Sequence, residues 1–479
     1  MRLLLYRRAG VFLFSLAIGT ASADAGNIAK KESALRTIEE HKEALIDISD
    51  KIWILAETAL KETHSSQLLA DYAEKQGFRV QRGVSHMPTA FVASYGEGRP
   101  IIGILGEFDA LPGLSQQATP SRRPVTPGAP GHGCGHNLFG AGSLGAAIAV
   151  KELISSGELK GTIRYYGTPA EEAVGGKIYM ARDGLFNDLD VCLAWHPSDE
   201  TVADMTSSQA LIDFVVEFKG KAAHAAFDPW NGRSAVDALE LFTHGLNMMR
   251  EHVKPSVRIH YTILKGGDVP NVIPEHAKLW CWVRDWTREG VDDVFQRVKK
   301  MVDGAAMMAG VEGSLSIQSG DYEMLVNKTG ARLLHENLTW LGPISYTPAE
   351  QEFARSIQQA TGFPQTGMNS AVRPLEGQVP EGGSTDVGDI SWIVPTLHVS
   401  VTTAPEDTPW HSWPVVACGG MSIGHKGMLH AAKTLAAASI DLFEDDDVRA
   451  AIQKEFREQT KGHDYKPYIP DGPPRVPTD

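Results

Sequence analysis

Gly161-Thr-Ile-Arg-Tyr-Tyr-Gly-Thr-Pro-Ala-Glu171-Glu172 decides the fold class. Residues 161–167 read as a short apolar strand, and the strand runs directly into Thr-Pro-Ala and a pair of carboxylates. The pattern returns at Val191-Cys-Leu-Ala-Trp-His196, an apolar run closing on a histidine. Phe91 to Tyr95 and Ile101 to Leu105 add two further short runs of the buried-strand type. Between and before them lie helical spacings. Ile38, Leu45, Ile46, Ile52 and Leu55 mark one stretch, Leu68, Leu69 and Tyr72 another, and the Ala/Gly-dense segment from Ala141 to about Ser155 a third. Alternating buried strands and helices predict an α/β fold whose mixed, largely parallel sheet is flanked by helices. Ligands of such sheets bind in the crevice at the carboxyl ends of the strands, where Glu171, Glu172 and His196 stand.

Near residue 207 the pattern changes. Leu211, Phe214, Val216 and Phe218 fall within a half-buried strand over 210–219, and a helix over 233–252 follows. Strands at 257–265 and 276–286, a helix at 290–309 and a strand at 313–319 complete βαββαβ, the order of a ferredoxin-like domain. The chain then returns to helix and loop, the strand Thr396 to Thr402, and a long helix over 420–443. The expected organisation is one catalytic domain, 30–207 and 323–460, interrupted by an insert at 208–322. The Pro-rich stretch 461–479 is expected to be a poorly ordered tail. Residues 1–23 read as a signal peptide. Arg2, Arg7 and Arg8 precede an apolar stretch from Val11 to Gly19, and Ala21-Ser22-Ala23 has the form of a cleavage site. The expected location is secreted or periplasmic, with no membrane span once the signal is removed.

The chain has 479 residues, a net charge of -14 and 42% hydrophobic residues. The acidic balance argues against nucleic acid, whose phosphates need clustered Lys and Arg. Its four cysteines, Cys134, Cys192, Cys281 and Cys418, are too few for a disulfide scaffold. Cys192 and Cys281 sit in apolar runs and read as buried free thiols.

The strongest local signal is His132-Gly-Cys134-Gly-His136-Asn137. A thiolate and an imidazole one residue apart are good ligands for a zinc-like ion, and the flanking glycines allow a tight turn. A cysteine nucleophile assisted by histidine is the rival reading of the same residues. Glu171-Glu172 offers one carboxylate for a metal and one for a proton, though acidic residues also simply open helices. His411, in Pro409-Trp-His411-Ser-Trp-Pro, follows the last strand and can close the same crevice. Gly140-Ala-Gly142-Ser-Leu-Gly145 matches a dinucleotide fingerprint but lacks the strand that must precede one, so these glycines read as close helix packing.

Six ordered motifs carry a resemblance. Glu107-Phe-Asp109-Ala-Leu-Pro112 looks like a D-x-D-A-L-P segment, Cys134-Gly-His136 like C-G-H, and Glu171-Glu172 and His196 like E-E and H. Gly220-Lys-Ala-Ala-His224-Ala is similar to G-K-x-x-H-A, and Gly266-Gly267 with Asn271-Val-Ile-Pro274 to G-G-x-x-x-N-V-I-P. Over about residues 35–450 the chain resembles the metallo-aminoacylase and carboxypeptidase superfamily of amidohydrolases. The similarity is greatest to the branch that holds hippurate, indole-acetyl-amino-acid and aminobenzoyl-glutamate hydrolases, and within it to the B-type chains of aminobenzoyl-glutamate hydrolase.

The resemblance implies two divalent metal ions per subunit, zinc or manganese. Cys134 would bridge them, His136 and His196 would complete one, and Glu172 and His411 the other. Glu171 would be the general base. His224, on a dimerisation and lid domain, would reach the oxyanion in a partner's site, in a homodimer or a heterodimer with a homologous subunit. Asp109 would support the site, and Asn271, Gly383 and Ser384 would lie near the substrate. Asn137 stands where many relatives carry Asp, which removes a charge behind the ligands. The substrate implied is an N-acyl amino acid, an aromatic acyl group on glutamate among them, and its carboxylate needs a cation such as Arg233 or Arg284. A dipeptidase or carbamoyl-amide hydrolase on the same site, and a non-catalytic homologous subunit, are the alternatives.

Overall fold

The computed structural model describes residues 12–377, 379–380 and 383–476. The basic start of the expected signal, Arg2 to Arg8, lies outside the described residues. Helices α1 (Phe12–Leu55) and α2 (Thr63–Lys75) lead into strands β1 (Arg79–Arg82), β2 (Phe91–Glu97) and β3 (Ile101–Glu107). A Pro/Gly-rich loop precedes α3 (His136–Ser155), β4 (Gly161–Thr168), α4 (Gly176–Arg182), β5 (Val191–Ser198), β6 (Val202–Ala203) and β7 (Thr206–Ser207). The insert comprises β8 (Ala210–Lys219), α5 (Ala235–Met249), β9 (Arg258–Gly266), β10 (His276–Asp285), α6 (Arg288–Ala309) and β11 (Glu312–Ser319). The chain returns through α7 (Lys328–Leu341), α8 (Pro348–Thr361), β12 (Val379–Pro380), α9 (Val387–Ser391) and β13 (Thr396–Thr402). It ends with α10 (Trp413–Gly419), α11 (Ser422–Glu444) and α12 (Asp446–Gln459).

The main sheet has seven strands in the order β1-β2-β4-β3-β5-β13-β6. Its centre, β4-β3-β5-β13, is parallel, and antiparallel partners close both edges. The mixed, largely parallel sheet read from the sequence is therefore present. Parallel strands must be covered on both faces, and here α3 does much of the covering. It lies against β3, β4 and β5 and between α1 and α11. Long and apolar enough to span a membrane, α3 is instead mostly buried inside the fold. A Cβ on Gly142 would stand 3.0 Å from the Met428 carbonyl oxygen, so the glycines of α3 serve close packing, as expected.

The insert forms its own four-stranded antiparallel sheet, β11-β8-β10-β9, with α5 and α6 on one face. Phe214, Phe218, Phe242 and Phe295 lie in its separate core. That order is the ferredoxin-like one. All four cysteines are buried and free.

Two expectations need correction. Helix α3 starts at His136, five residues earlier than its Ala-rich pattern, because Gly135 takes a left-handed conformation (φ 78°) that turns the chain straight into the helix. Within the described residues, the tail over 461–476 is also more ordered than its prolines imply. Tyr465 Oη donates to Asp389 Oδ1 at 2.8 Å, and the Arg288 guanidinium lies 3.1 Å from the centre of the Tyr468 ring. Tyr465 packs on the main core and Tyr468 on the insert's core, so the tail bridges the two. Burial pushes Asp389 up to about 7, which makes its remaining hydrogen bonds valuable. Tyr465→Phe is expected to cost about 1–2 kcal/mol in urea unfolding. Wild-type stability would show that the tail contributes no hold.

Candidate metal centre

The carboxyl ends of β3, β4, β5 and the loop after β13 meet at one cleft. Cys134 Sγ stands 3.3 Å from His196 Nε2, while His196 Nδ1 is engaged by the Pro197 carbonyl at 2.7 Å. His196 therefore turns its Nε2 lone pair toward the thiol. His136, fully buried at the start of α3, meets Asp109 Oδ1 through Nδ1 at 3.0 Å. The other oxygen of Asp109 accepts the backbone N–H of Glu172 at 2.9 Å, so one aspartate fixes both ligand-bearing segments. His411 Nε2 lies 3.5 Å from Glu172 Oε2, and its backbone N–H is tied to the Gly133 carbonyl beside Cys134. His411 and Ala170 both hold left-handed φ values, 54° and 62°, which cost strain in non-glycine residues and cluster at functional sites.

Donor atoms of Cys134, His136 and His196 lie within 4.8 Å of one another, and so do those of Cys134, Glu172 and His411. The two groups share Cys134, so five of the residues named from sequence converge as two donor sets around one sulfur. The electrostatics also fit cations. Glu107, Glu171 and Glu172 line the cleft floor, with Asp109 and Lys177 buried behind them. Burial, then the charges of Glu107 and Glu172, drive Glu171 far above the usual carboxylate range. Burial raises Glu172 to about 7, and burial with Glu172 beside it pushes the Cys134 thiol well up. Burial, and then His136, hold His196 down at about 3, neutral and ready to donate a lone pair. His136 is the exception: burial disfavours its charge, yet Glu107, Cys134 and Asp109 together raise it well above the ordinary histidine value. A buried excess of acids is costly unless cations offset it.

The cleft encloses about 880 Å³ between the main sheet and the insert. Glu171, Gly383, Ser384 and Arg284 line it with four of the five donors, and the fully buried His136 stands behind them. Arg284 Nη1 donates to Ser384 Oγ at 3.2 Å. Trp280 and Trp282 face the same space. Sequence reasoning passed over them, although Trp280, Trp282 and Arg284 alternate with buried Leu279, Cys281 and Val283 along β10 and so share its opposite face. Glu107 and Lys177 were also passed over as site residues. His224 and Asn271 are not brought to this cleft. They sit together on the insert, where Ala225 N–H donates to the Asn271 carbonyl at 3.0 Å. Arg233 is likewise not a cleft residue: its guanidinium binds the Gly232 and Trp230 carbonyls and braces its own loop. Asn137 points away from the donors, to Ser49 Oγ and the Gly419 carbonyl, and ties α3 to α1 and α10.

Residues 206–307 match the model of the peptidase dimerisation domain. Over 464 residues the chain is 38% identical to the B-type chain of p-aminobenzoyl-glutamate hydrolase from Escherichia coli K12, covering 90% of this chain and 96% of that one. The chain belongs to that hydrolase family. It is an amidohydrolase. Mouse Xaa-Arg dipeptidase is 29% identical over 92% of this chain and 94% of its own. A Bacillus subtilis dinuclear metal-binding peptidase of the M20 family shares the fold at 18% identity with a TM-score of 0.57, covering 85% of this chain and 99% of that one. The sequence resemblance is thus borne out.

For this amidohydrolase, the pKa shifts fix the sign of one effect. Below pH 7 Glu172 carries a proton that an entering ion must displace, and the Cys134 thiol carries one at any ordinary pH. Metal uptake is therefore expected to release protons, with affinity rising as pH increases through 7. Calorimetric zinc titrations in two buffers of different ionisation enthalpy measure this directly. Equal heats in both buffers would contradict it.

Proposed function

We propose that the chain hydrolyses the amide bond of N-acyl amino acids, aminobenzoyl-glutamate-like compounds leading, with two divalent ions that Cys134, His136, His196, Glu172 and His411 would hold. The observation that carries this reading is the pair of donor groups meeting at Cys134, with Glu171 on the same cleft floor. His136 and His196 would hold one ion, and Glu172 and His411 the other. Thiolate and imidazole favour zinc, and the carboxylates keep manganese open. Such ions make water acidic enough to ionise near neutral pH and polarise a carbonyl oxygen.

Glu171 takes the proton of water as its oxygen attacks the amide carbon, then returns that proton to the leaving amine. The raised affinity of Glu171 for a proton suits this two-way transfer. His224 accepts the N–H groups of Ala226 and Phe227 at Nδ1, which leaves the hydrogen on Nε2. It is thereby prepared to donate to an oxyanion, and we assign it to the site of a partner subunit, identical or homologous. Trp280 and Trp282 offer an aromatic wall for the acyl group. Arg284, beside Gly383 and Ser384, offers charge to the amino acid's carboxylate. Asn271 would approach the substrate with His224.

A dipeptidase reading has one observation in its favour. Asp199, Asp213 and Asp321 also line the cleft and would suit a cationic side chain. The residue 1–23 signal supports a secreted or periplasmic location, which cell fractionation tests.

A panel of aminobenzoyl-glutamate, other N-acyl amino acids and Xaa-Arg dipeptides separates the readings. Glu171→Ala is expected to keep its metal and lose about two to four orders of magnitude in kcat. Equal activity of variant and wild type on every substrate would overturn the proposal. Mixed dimers give a second test. Glu171→Ala and His224→Ala subunits, each inactive alone, are expected to regain activity when refolded or expressed together, because one site then has both groups. No recovery in verified mixed dimers would place His224 outside a shared site.

A further inference from the structure

We infer that Glu107 is a further carboxylate partner of the ion assigned to His136 and His196, and that the buried Lys177–Asp386 pair positions it. The inference rests on the two-ion reading above and extends its donor set.

Nδ1 of His136 is taken by Asp109, so only Nε2 can face an ion. Glu107 Oε2 lies 3.0 Å from that nitrogen. Glu107, His136 and Glu171 form a third set of donor atoms within 4.8 Å of one another, joined to the first set through His136. Glu107 is about 1% exposed and His136 is fully buried, yet neither oxygen of Glu107 nor Nε2 of His136 completes a well-directed hydrogen bond among the described residues. Glu107 Oε2 and His136 Nε2 thus face each other as two buried acceptors, an arrangement suited to a cation between their lone pairs.

The other oxygen of Glu107 lies 2.6 Å from Lys177 Nζ. Lys177 is fully buried, and Asp386 fixes it twice, by its backbone N–H at 2.9 Å and its ammonium at 2.6 Å. The approach is tight: a Cβ on Gly176 would stand 2.0 Å from the Pro169 carbonyl oxygen, so the chain beneath the Glu171 loop must be glycine there for Lys177 to reach Glu107. A merely structural Lys177–Asp386 pair would already be neutral. Glu107 then adds an unbalanced buried anion, which is unfavourable unless a second positive charge stands on its far side. That far side is His136 Nε2, 3.0 Å away, so the charge required there is a proton on the imidazole or an ion that displaces it. Asp386 follows Gly383 and Ser384, which line the substrate cleft, so the pair also fixes one end of the cleft wall relative to the ion.

The test is zinc affinity and stoichiometry, measured by chelator competition and elemental analysis on the full chain, with circular dichroism and apo-protein melting as controls. Glu107→Gln is expected to weaken one of the two zinc ions about 10–100-fold and leave the other nearer wild type. Lys177→Met is expected to weaken the same ion, and Lys177→Arg to restore it in part. Should Glu107→Gln fail to fold, Glu107→Asp keeps the charge but draws the carboxylate back, and the same ion is expected to weaken. Wild-type affinity for both ions in the folded Glu107 variant would overturn the inference, even if its melting point fell. A wild-type chain that binds no zinc or manganese would instead overturn the two-ion reading beneath it.

Discussion

The His136 imidazole lies between two carboxylates of one strand end, with Asp109 holding Nδ1 and Glu107 3.0 Å from Nε2. Both acids come from the end of β3 and its following turn, and the imidazole from the first residue of α3. The contact therefore docks the central strand against the most buried helix at the point where the chemistry is placed. Asp109 then reaches the Glu172 backbone, which sets the loop after β4 relative to the same imidazole. The neutral His196 comes from the next strand, β5, and approaches the thiol that lies two residues before His136. The end of β3 thus touches both His136 and the segment that carries Glu172.

This arrangement sets a physical constraint. Burying several acids and a thiol side by side opposes folding in the absence of positive charge. Lys177 offsets part of it, but it sits behind Glu107, away from the cleft. What remains negative faces the cavity, so cation binding and stability are linked through the same side chains. Local strain follows the same logic. Ala170 and His411 adopt left-handed conformations that bring Glu171, Glu172 and the imidazole inward, and the hydrogen bonds Glu62–Ala170 and Gly133–His411 hold them there.

Much of this was legible in the sequence because short-range patterns carried it. Apolar runs ending in Glu171-Glu172 and His196 mark parallel strands by their composition, and the insert shows a change of period near residue 207. Cys134 and His136 are one residue apart, so their joint role needs no tertiary knowledge. Lys177 was not legible. A single lysine in Gly-Lys-Ile-Tyr-Met-Ala reads as the solvent face of a helix, and its partner Asp386 is 209 residues away. The tail misled for a related reason: its prolines outweighed Tyr465 and Tyr468, whose anchoring sites exist only once both cores have formed. The mixed case is β10, where the alternation of Trp280, Trp282 and Arg284 was visible but the identity of the space they face was not.

The cleft is built from two bodies with separate cores, and this bears on how the reaction is divided between them. The candidate metal donors and the proposed base belong to the main-sheet domain, at strand ends, loops and the start of α3, where buried contacts hold them. Groups suited to reading the substrate, Trp280, Trp282 and Arg284, belong to the insert. His224 belongs there too, but on a loop that does not border the cleft of its own chain. His224 is exposed and accepts two backbone N–H groups at Nδ1, so on the proposed reading its Nε2 would donate in a partner's site. The domain that carries it matches a dimerisation model. Assembly would then complete the oxyanion side of the site, while the hydrolytic side is finished within one chain. The tail, through Tyr465 and Tyr468, joins the two cores, and on the proposed reading it would keep the insert in register with ions held by the main sheet.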